Sequence, residues 1–576
     1  MKKTYIWRGL CTLLVLVLSL TIFGRSLAFT REGDVNLFLG TLPPAVQVTD
    51  DTNYYASDYA SMDEMRTALE DHIIQTQVEG SVLLRNENDA LPLAPNASVT
   101  LFGFAAATPV YHGGSGGPPN DGINLYDAMK EAGFQVNETV YNAIVAANGS
   151  RTKTGLIGEI PASAYAGTES SYATSYNDAA IYVMSRFGGE EGDLNHGLQG
   201  DWQEGPAGVP ELSLHQEEID TLNLIKNSGK FSKIIVVVNS GYAMDLGWLA
   251  DYGVDACLWI GYPGNYGMKG VAQILGGQAA PSGRNAITYA ADSLSSAAMQ
   301  NAGDFTFDNL TGLYKNKYLV YAEGIYVGYK YYETRYQDQV LGINNANGPK
   351  GVYASKNGAW NYADEMVYTF GAGKSYADFT QELLSVNWDK STHTVTAQVK
   401  VTNNGAANYA GTSKDVVQLY VQLPYEAGQA EKSAIQLVDF AKTSALAAGE
   451  SETVPLEFSD YIFAAYDSAA VNGADTSKTG CYVFDPGEYY FAIGNDAHDA
   501  LNNVLAATPF TNPYNLQGTI SAGRNGRYVS DIGNITALDP VALEPMGFAL
   551  ESGRWLDTTV INAQSKKIPV LVCEYT

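Results

Sequence analysis

Three acidic side chains stand close together in the stretch Ser185-Arg186-Phe187-Gly188-Gly189-Glu190-Glu191-Gly192-Asp193, which directly follows an unbroken apolar run, Ala180-Ile181-Tyr182-Val183-Met184. Such a run reads as a buried strand, so the glycines and carboxyls fall on a loop at its end. Glycine there lets the backbone come close to a ligand. A carboxyl kept protonated by partial burial or by a neighbouring negative charge can hand a proton to a leaving group. Plain solvation is the competing reading for any loop acid, and Asp193 reads best as a turn-shaping residue. Arg186 has two readings: a fork that pairs with a carboxylate inside the fold and braces the loop, or a contact to substrate.

A second loop, Tyr111-His112-Gly113-Gly114-Ser115-Gly116-Gly117, offers Tyr111 and Ser115 at the rim of a pocket, or else forms a structural turn. It lacks both the Lys-Ser/Thr pair of a phosphate-binding loop and the dinucleotide GxGxxG spacing, which argues against a nucleotide. Ser240, in Asn239-Ser240-Gly241, has no Gly-x-Ser-x-Gly elbow around it to make it a nucleophile. Cys11, Cys257, Cys481 and Cys573 have neither CxxC nor Cys/His spacing, so the sequence points to no metal site and no cofactor. Tyr326, Tyr329, Tyr331 and Tyr332 read as packing at a domain junction rather than as a stacking platform.

The elements that must hold these loops follow from hydrophobic pattern. Apolar strands at 81–84, 99–104, 180–184, 233–239 and 256–260 alternate with amphipathic helices, the first from Met62 and others at 127–133, 215–226 and 268–275. That alternation predicts an α/β sandwich with a mostly parallel sheet over residues 62–345, whose strand ends carry the site. Residues 346–374 read as a linker. From 375 to 504 the period becomes two, as in Val395, Ala397, Val399, Val401 and again Val417, Leu419, Val421, which predicts an all-β sandwich of fibronectin type III kind. Residues 505–576, ending in an apolar strand from Ile568 to Cys573, fit neither domain.

Lys2, Lys3 and Arg8 precede an apolar run from Leu10 to Phe23 and then Ser26-Leu27-Ala28. Residues 1–28 are therefore expected to be a signal peptide or membrane anchor, with 29–61 as a stalk, in a protein exported to the membrane or the exterior. The 62 acidic against 34 basic residues, a net charge of -28, argue against nucleic acid as a partner.

Taken in order, the 185–193 loop, Pro281-Ser282-Gly283-Arg284, Glu323-Gly324-Ile325-Tyr326-Val327-Gly328-Tyr329-Lys330-Tyr331-Tyr332 and Phe370-Gly371-Ala372-Gly373-Lys374-Ser375-Tyr376 resemble the C-terminal half of glycoside hydrolase family 3, over about residues 62–500. Its best-known members are β-glucosidases. The resemblance implies an α/β sandwich followed by a fibronectin type III-like domain, and hydrolysis of β-linked glucosides or oligosaccharides in carbohydrate catabolism by a retaining mechanism. It puts the acid/base on Glu190. The family usually has Gly at the next position, and Glu191 here either substitutes for Glu190 or raises its proton affinity. Weaker substrate contacts fall to Tyr111, Ser115 and Arg186. Family members carry an aspartate nucleophile on a TIM barrel. The membrane-proximal opening and Asn36-Leu37-Phe38-Leu39-Gly40 resemble the permuted bacterial members, in which the barrel comes last. Asp201-Trp202 is not the family's Ser-Asp-Trp nucleophile motif. The expectation is therefore an acid/base half without its barrel, the barrel being supplied by a continued or a separate chain. The alternative is a non-catalytic cell-surface module that binds carbohydrate or protein.

Overall fold

The computed structural model describes residues 2–31, 58–113, 122–149, 158–188, 210–293, 324–341, 360–425, 430–471, 479–485 and 487–507, with a few residues between 295 and 318 and at 477 and 527–531. The chain forms two compact units, Met1–Ala68 and Leu69–Thr576. The first contains helix α1, Lys2–Thr30. Within it Lys3–Ser26 is long and apolar enough to cross a membrane, a test that a signal sequence near an N-terminus also passes. Helix α2, Met62–Gly80, leads into the second unit.

The second unit opens with a six-stranded sheet. Its strands are β1 (Val82–Asn86), β2 (Ser98–Phe102), β3 (Gln135–Val136), β4 (Ala179–Ser185), β5 (Ile234–Asn239) and β6 (Ala256–Trp259), in the order β1-β6-β5-β4-β2-β3. Strands β2 to β6 run parallel, and β1 closes one edge antiparallel to β6. Every residue of β4 is buried, as is β5 from Ile235 onward; strands covered on both faces have no wet side on which to put polar residues.

Helices α3 (Leu125–Glu131), α4 (Glu138–Ala147), α5 (Gln216–Ser228) and α6 (Gly267–Leu275) supply the cover. Their apolar stripes enter the core through Leu125, Met129, Val140, Ile144, Leu222, Ile225, Met268 and Val271. Each such side chain contributes about 1.5–3 kcal/mol over leaving it exposed. Local chemistry sets where they start. The Asn124 carbonyl accepts from Asp127 N (2.9 Å), and Asn137 accepts from Thr139 N (3.1 Å), satisfying amides that a first turn otherwise leaves unpaired.

A short antiparallel pair, β7 (Tyr289–Ala290) with β8 (Met366–Tyr368), brackets helix α7 (Tyr329–Leu341). Two segments singled out in the sequence, Pro281–Arg284 and Phe370–Tyr376, come together beside this pair. Asn285 N donates to Ala372 O (2.8 Å), Gly371 N to Asn285 O (2.8 Å) and Lys374 N to Leu83 O (2.9 Å). A Cβ on Gly373 would lie 2.5 Å from Gly283 O, so the two backbones touch only because glycine stands there.

The β-sandwich follows. One sheet orders β9 (Asp378–Asp389), β10 (Thr394–Gly405) and β13 (Ser451–Ser459). The other orders β12 (Gln436–Lys442), β11 (Val416–Gln422), β16 (Glu488–Ile493) and β17 (Arg527–Asp531). A hairpin, β14 (Ala465–Val471) with β15 (Thr479–Val483), forms a two-stranded sheet of its own and packs Tyr482 against the sandwich core. Val395, Ala397, Val399 and Val401 face Val417, Leu419 and Val421 in one core, as their alternation predicts. Helix α8 (Ala497–Ala507) and α7 pack on this domain, since Val340, Leu501 and Val504 share a cluster with Tyr420, Ile435 and Ala492. Tyr326, Tyr331 and Tyr332 are buried with Ala290 and Trp360, which is packing.

Candidate active site

Strands β2, β4, β5 and β6 run side by side in one direction, so their C-terminal ends share an edge of the sheet. In open α/β sheets that edge is where ligands bind. Asn239, the last residue of β5, is fully buried and ties three of the loops there. Its carbonyl accepts from Val110 N (2.7 Å), and its amide donates to Val110 O (3.0 Å) and Gly261 O (2.7 Å). Trp259 Nε1, on β6, donates to Ser240 O (2.7 Å).

Tyr262 is the point on which the loops close. A Cβ at Gly113 would lie 3.0 Å from its ring and one at Gly241 2.9 Å, while a Cβ at Gly188 would lie 2.7 Å from the hydroxyl of Tyr242. Its own hydroxyl donates toward Gly188 O (3.4 Å) and Arg186 O (3.5 Å), both long and therefore weak. The loops leaving β2, β4 and β5 thus meet glycine-to-aromatic at one place, without side chains between them.

Arg186 stands at the exit of β4 with no exposed surface. Its guanidinium binds the Glu218 carboxylate with two parallel bonds, Nη1 to Oε1 (2.7 Å) and Nη2 to Oε2 (2.8 Å). The other donors go to Ser185 O (2.9 Å), Ser213 O (2.8 Å) and Glu211 O. Every N–H that a guanidinium has is used. Of the two roles the sequence leaves for Arg186, pairing with a carboxylate is the one the structure shows, and no donor remains for substrate. Glu218 Oε2 also accepts from His215 N (2.9 Å), capping α5 with the same carboxylate. The two ends of the 186–215 loop are therefore fastened to one ion pair.

A second carboxyl lies close by. Glu159 Oε1 accepts from Phe104 N (3.0 Å) and Ile160 N (2.9 Å), and Oε2 from the Tyr182 hydroxyl (3.1 Å). Burial, with the Glu218 charge adding to it, pushes Glu159 up to about 7 against the pull of those amides.

Among the residues expected at the site, Tyr111 is half-buried at this edge. Its hydroxyl donates to Gly122 O (3.2 Å), its carbonyl accepts from Gly264 N (2.8 Å), and burial pushes its phenol up to about 12. Ser115, Glu190 and Glu191 lie outside the described residues. Sequence reasoning missed Glu218, Asn239, Tyr262 and Glu159. Only Glu218 left a signal, the capping spacing His215-x-x-Glu218 ahead of an apolar stripe; the others are joined by tertiary contacts that no local pattern reports.

Comparison with known proteins gives two domain matches. Residues 81–329 match the glycosyl hydrolase family 3 C-terminal domain, and residues 415–497 a fibronectin type III-like domain. A beta-glucosidase of Ruminococcus albus is 29% identical over 435 residues, covering 74% of this chain and 39% of the relative. Beta-glucosidase A of Butyrivibrio fibrisolvens is 28% identical over 471 residues, covering 76% and 51%. The chain therefore spans about half or less of the length of these curated relatives. Beta-glucosidase 3B from Thermotoga neapolitana, solved in complex with glucose, has the same fold over 84% of this chain and 56% of its own, with a TM-score of 0.58 at 23% identity. A beta-glucosidase from Paenibacillus barengoltzii gives a TM-score of 0.57 at 26% identity, covering 74% and 42%.

Proposed function

Because the chain carries the C-terminal domain of glycosyl hydrolase family 3 with a fibronectin type III-like domain after it, we propose that it is the acid/base half of a β-glucosidase-like glycoside hydrolase. One observation carries the reading. The loop leaving β4 is gripped at both ends by Arg186 and Glu218 and enters a glycine-lined meeting of loops at the sheet's ligand-binding edge. Glu190 follows Gly188 by two residues along that loop.

In this reading Glu190 protonates the leaving oxygen of a β-linked glucoside or oligosaccharide, and later takes a proton from water. Retention needs a second carboxylate about 5–5.5 Å away to attack the sugar carbon. That nucleophile comes from a barrel domain, on a continued or a separate chain. Glu191 stands in for Glu190, or holds a proton on it by adding negative charge. Tyr111 and Ser115 line the approach. Helix α1 takes the protein out of the cytoplasm, cleaved or as an anchor, and fractionation with and without residues 1–28 decides between export and retention.

The test is hydrolysis of aryl β-glucosides by this chain alone and mixed with a family barrel domain. Alone, turnover close to background is expected, because an acid without a nucleophile forms no glycosyl-enzyme. With the barrel, Glu190→Gln is expected to cut turnover at least about a hundredfold on a poor leaving group. On activated leaving groups, which need no proton to depart, kcat/KM should suffer far less, while kcat still falls because Glu190 is also the base of the second step. Equal turnover by Glu190→Gln on every substrate shows the acid to lie elsewhere; binding of glucosides with no turnover in any mixture favours a binding module.

A further inference from the structure

Away from the strand-end edge, one buried glutamate and two half-buried aspartates surround one histidine where α7, the Tyr362–Glu365 turn and α8 meet. Glu333 of α7 has no exposed surface. Its Oε1 accepts from the hydroxyls of Tyr362 and Thr369 (3.1 Å to the latter), and its Oε2 binds Nδ1 of His498 at 2.8 Å. The His498 ring lies flat on Tyr362, with centroids 4.1 Å apart and planes 11° from parallel, and tilts against Tyr336 at 4.5 Å. Its side chain keeps 25% exposure, so protons from solvent reach it while its acceptor stays dry.

The groups facing His498 are Glu333 and Tyr336 from α7, Tyr362 from the turn, and Asp496 and Asp499 at the start of its own helix. The charges of Asp496 and Glu333 also reach Tyr420 of β11. Three carboxyl groups therefore share one imidazole. Protonated, it donates to Glu333 and offsets the acids; neutral, it leaves the fully buried Glu333 carboxylate with the hydroxyls of Tyr362 and Thr369 but without the histidine's counter-charge.

We propose that His498 is a proton-operated clasp that fastens α7 to α8 and to the Tyr362 turn, tight in mild acid and slack in alkali. The titrations agree in sign. Burial pulls His498 down, but the charge and hydrogen bond of Glu333, then Asp496 and Asp499, overcome it and hold the group above its ordinary 6.5. A raised histidine stabilises the fold fully below its unfolded value, and that stability is lost as pH rises through the folded one. Burial pushes Asp496 up to about 6 from 3.8, so its protonated form also favours the closed cluster and is lost as pH rises through about 6. Both losses run in the same direction, toward higher pH, that of Asp496 through about 6 and that of His498 above 6.5.

The test is amide hydrogen exchange of the whole chain between about pH 5.5 and 8.5, corrected for intrinsic rates. Protection in α7 and α8 is expected to fall about tenfold or more over that range. His498→Gln should start lower and lose the slope above about pH 7, keeping only the fall through about 6 that Asp496 supplies. Thr369→Val, which removes a hydrogen bond to Glu333 but no titrating group, should lower protection equally at every pH and keep the slope. Wild-type protection that does not change with pH overturns the clasp, as does His498→Gln with the wild-type slope. Should that variant not fold, imidazole NMR of the wild type replaces it: titration of His498 at or below 6.5 overturns the proposal, and titration above it supports it.

Discussion

A fully buried guanidinium is tolerable only with a complete set of acceptors, and Arg186 has one. Glu218 is the member whose loss hurts most, because it supplies the only formal charge among those acceptors. Glu218→Ala is expected to destabilise the second unit by about 3–5 kcal/mol in urea unfolding, since it strands a buried cation and uncaps α5 together. Glu218→Gln keeps the shape and one acceptor but loses the charge and sets an NH2 against the N–H donors of Arg186 or His215, so it should destabilise as well. A loss below about 1 kcal/mol for the alanine variant would mean the charge is relieved by some other group or by water. The pair is too far from solvent for salt to screen, so high ionic strength should leave the difference unchanged.

At the scale of elements, the three strand-end loops depend on glycine against aromatic rings. Gly241 tests this cleanly, because its Cβ would meet the Tyr262 ring at 2.9 Å. Gly241→Ala is expected to cost about 1–3 kcal/mol by overpacking. In a Tyr262→Ala background the same change should cost much less; additive effects in that double-mutant cycle would mean the two do not meet. Which elements the sequence revealed follows the same physics of burial. Strands β4 and β5 were legible because a strand covered on both faces must be apolar throughout. Strand β9 was not, because its inward set, Phe379, Gln381, Leu383, Val386 and Trp388, includes a polar residue and is shifted out of period two by a bulge between Leu383 and Ser385. Helix α7 escaped for the opposite reason: Glu333, Thr334, Arg335, Gln337, Asp338 and Gln339 are all buried, so polar residues occupy its inner surface and erase the apolar stripe. At the site, the brace on Arg186 was legible as a type of contact, whereas its partner lies 32 residues away and only folding brings it near.

Across the whole molecule, two of the sequence motifs turn out to be a joint. Pro281–Arg284 belongs to the α/β domain and Phe370–Tyr376 leads into the β-sandwich, yet Asn285, the next residue after the first, pairs by backbone with Gly371 and Ala372, and Lys374 extends the pairing to β1 through Leu83. Arg284 then reaches Asp415 at 2.6 Å, with 12% and 5% of the two side chains exposed, and Asp415 also accepts from Gln381 Nε2 (2.8 Å) and Val416 N (2.9 Å). Beside it Lys414 meets Glu79 at 2.7 Å, but both are 30% exposed. Magnitudes separate the two contacts. The half-wet pair is worth about 0–1 kcal/mol, whereas removing one side of the buried one leaves an unpaired charge at a cost of about 3–5 kcal/mol. Lys414→Ala should therefore leave calorimetric unfolding of the two domains as one transition, and Asp415→Ala should split it, with the β-sandwich melting first because Val416 N loses its side-chain acceptor and Gln381 one of its two, together with Arg284. Equal effects of the two substitutions would mean that backbone pairing at the glycines, and not the buried ion pair, couples the domains; a wild type that already melts in two steps would mean that neither contact does.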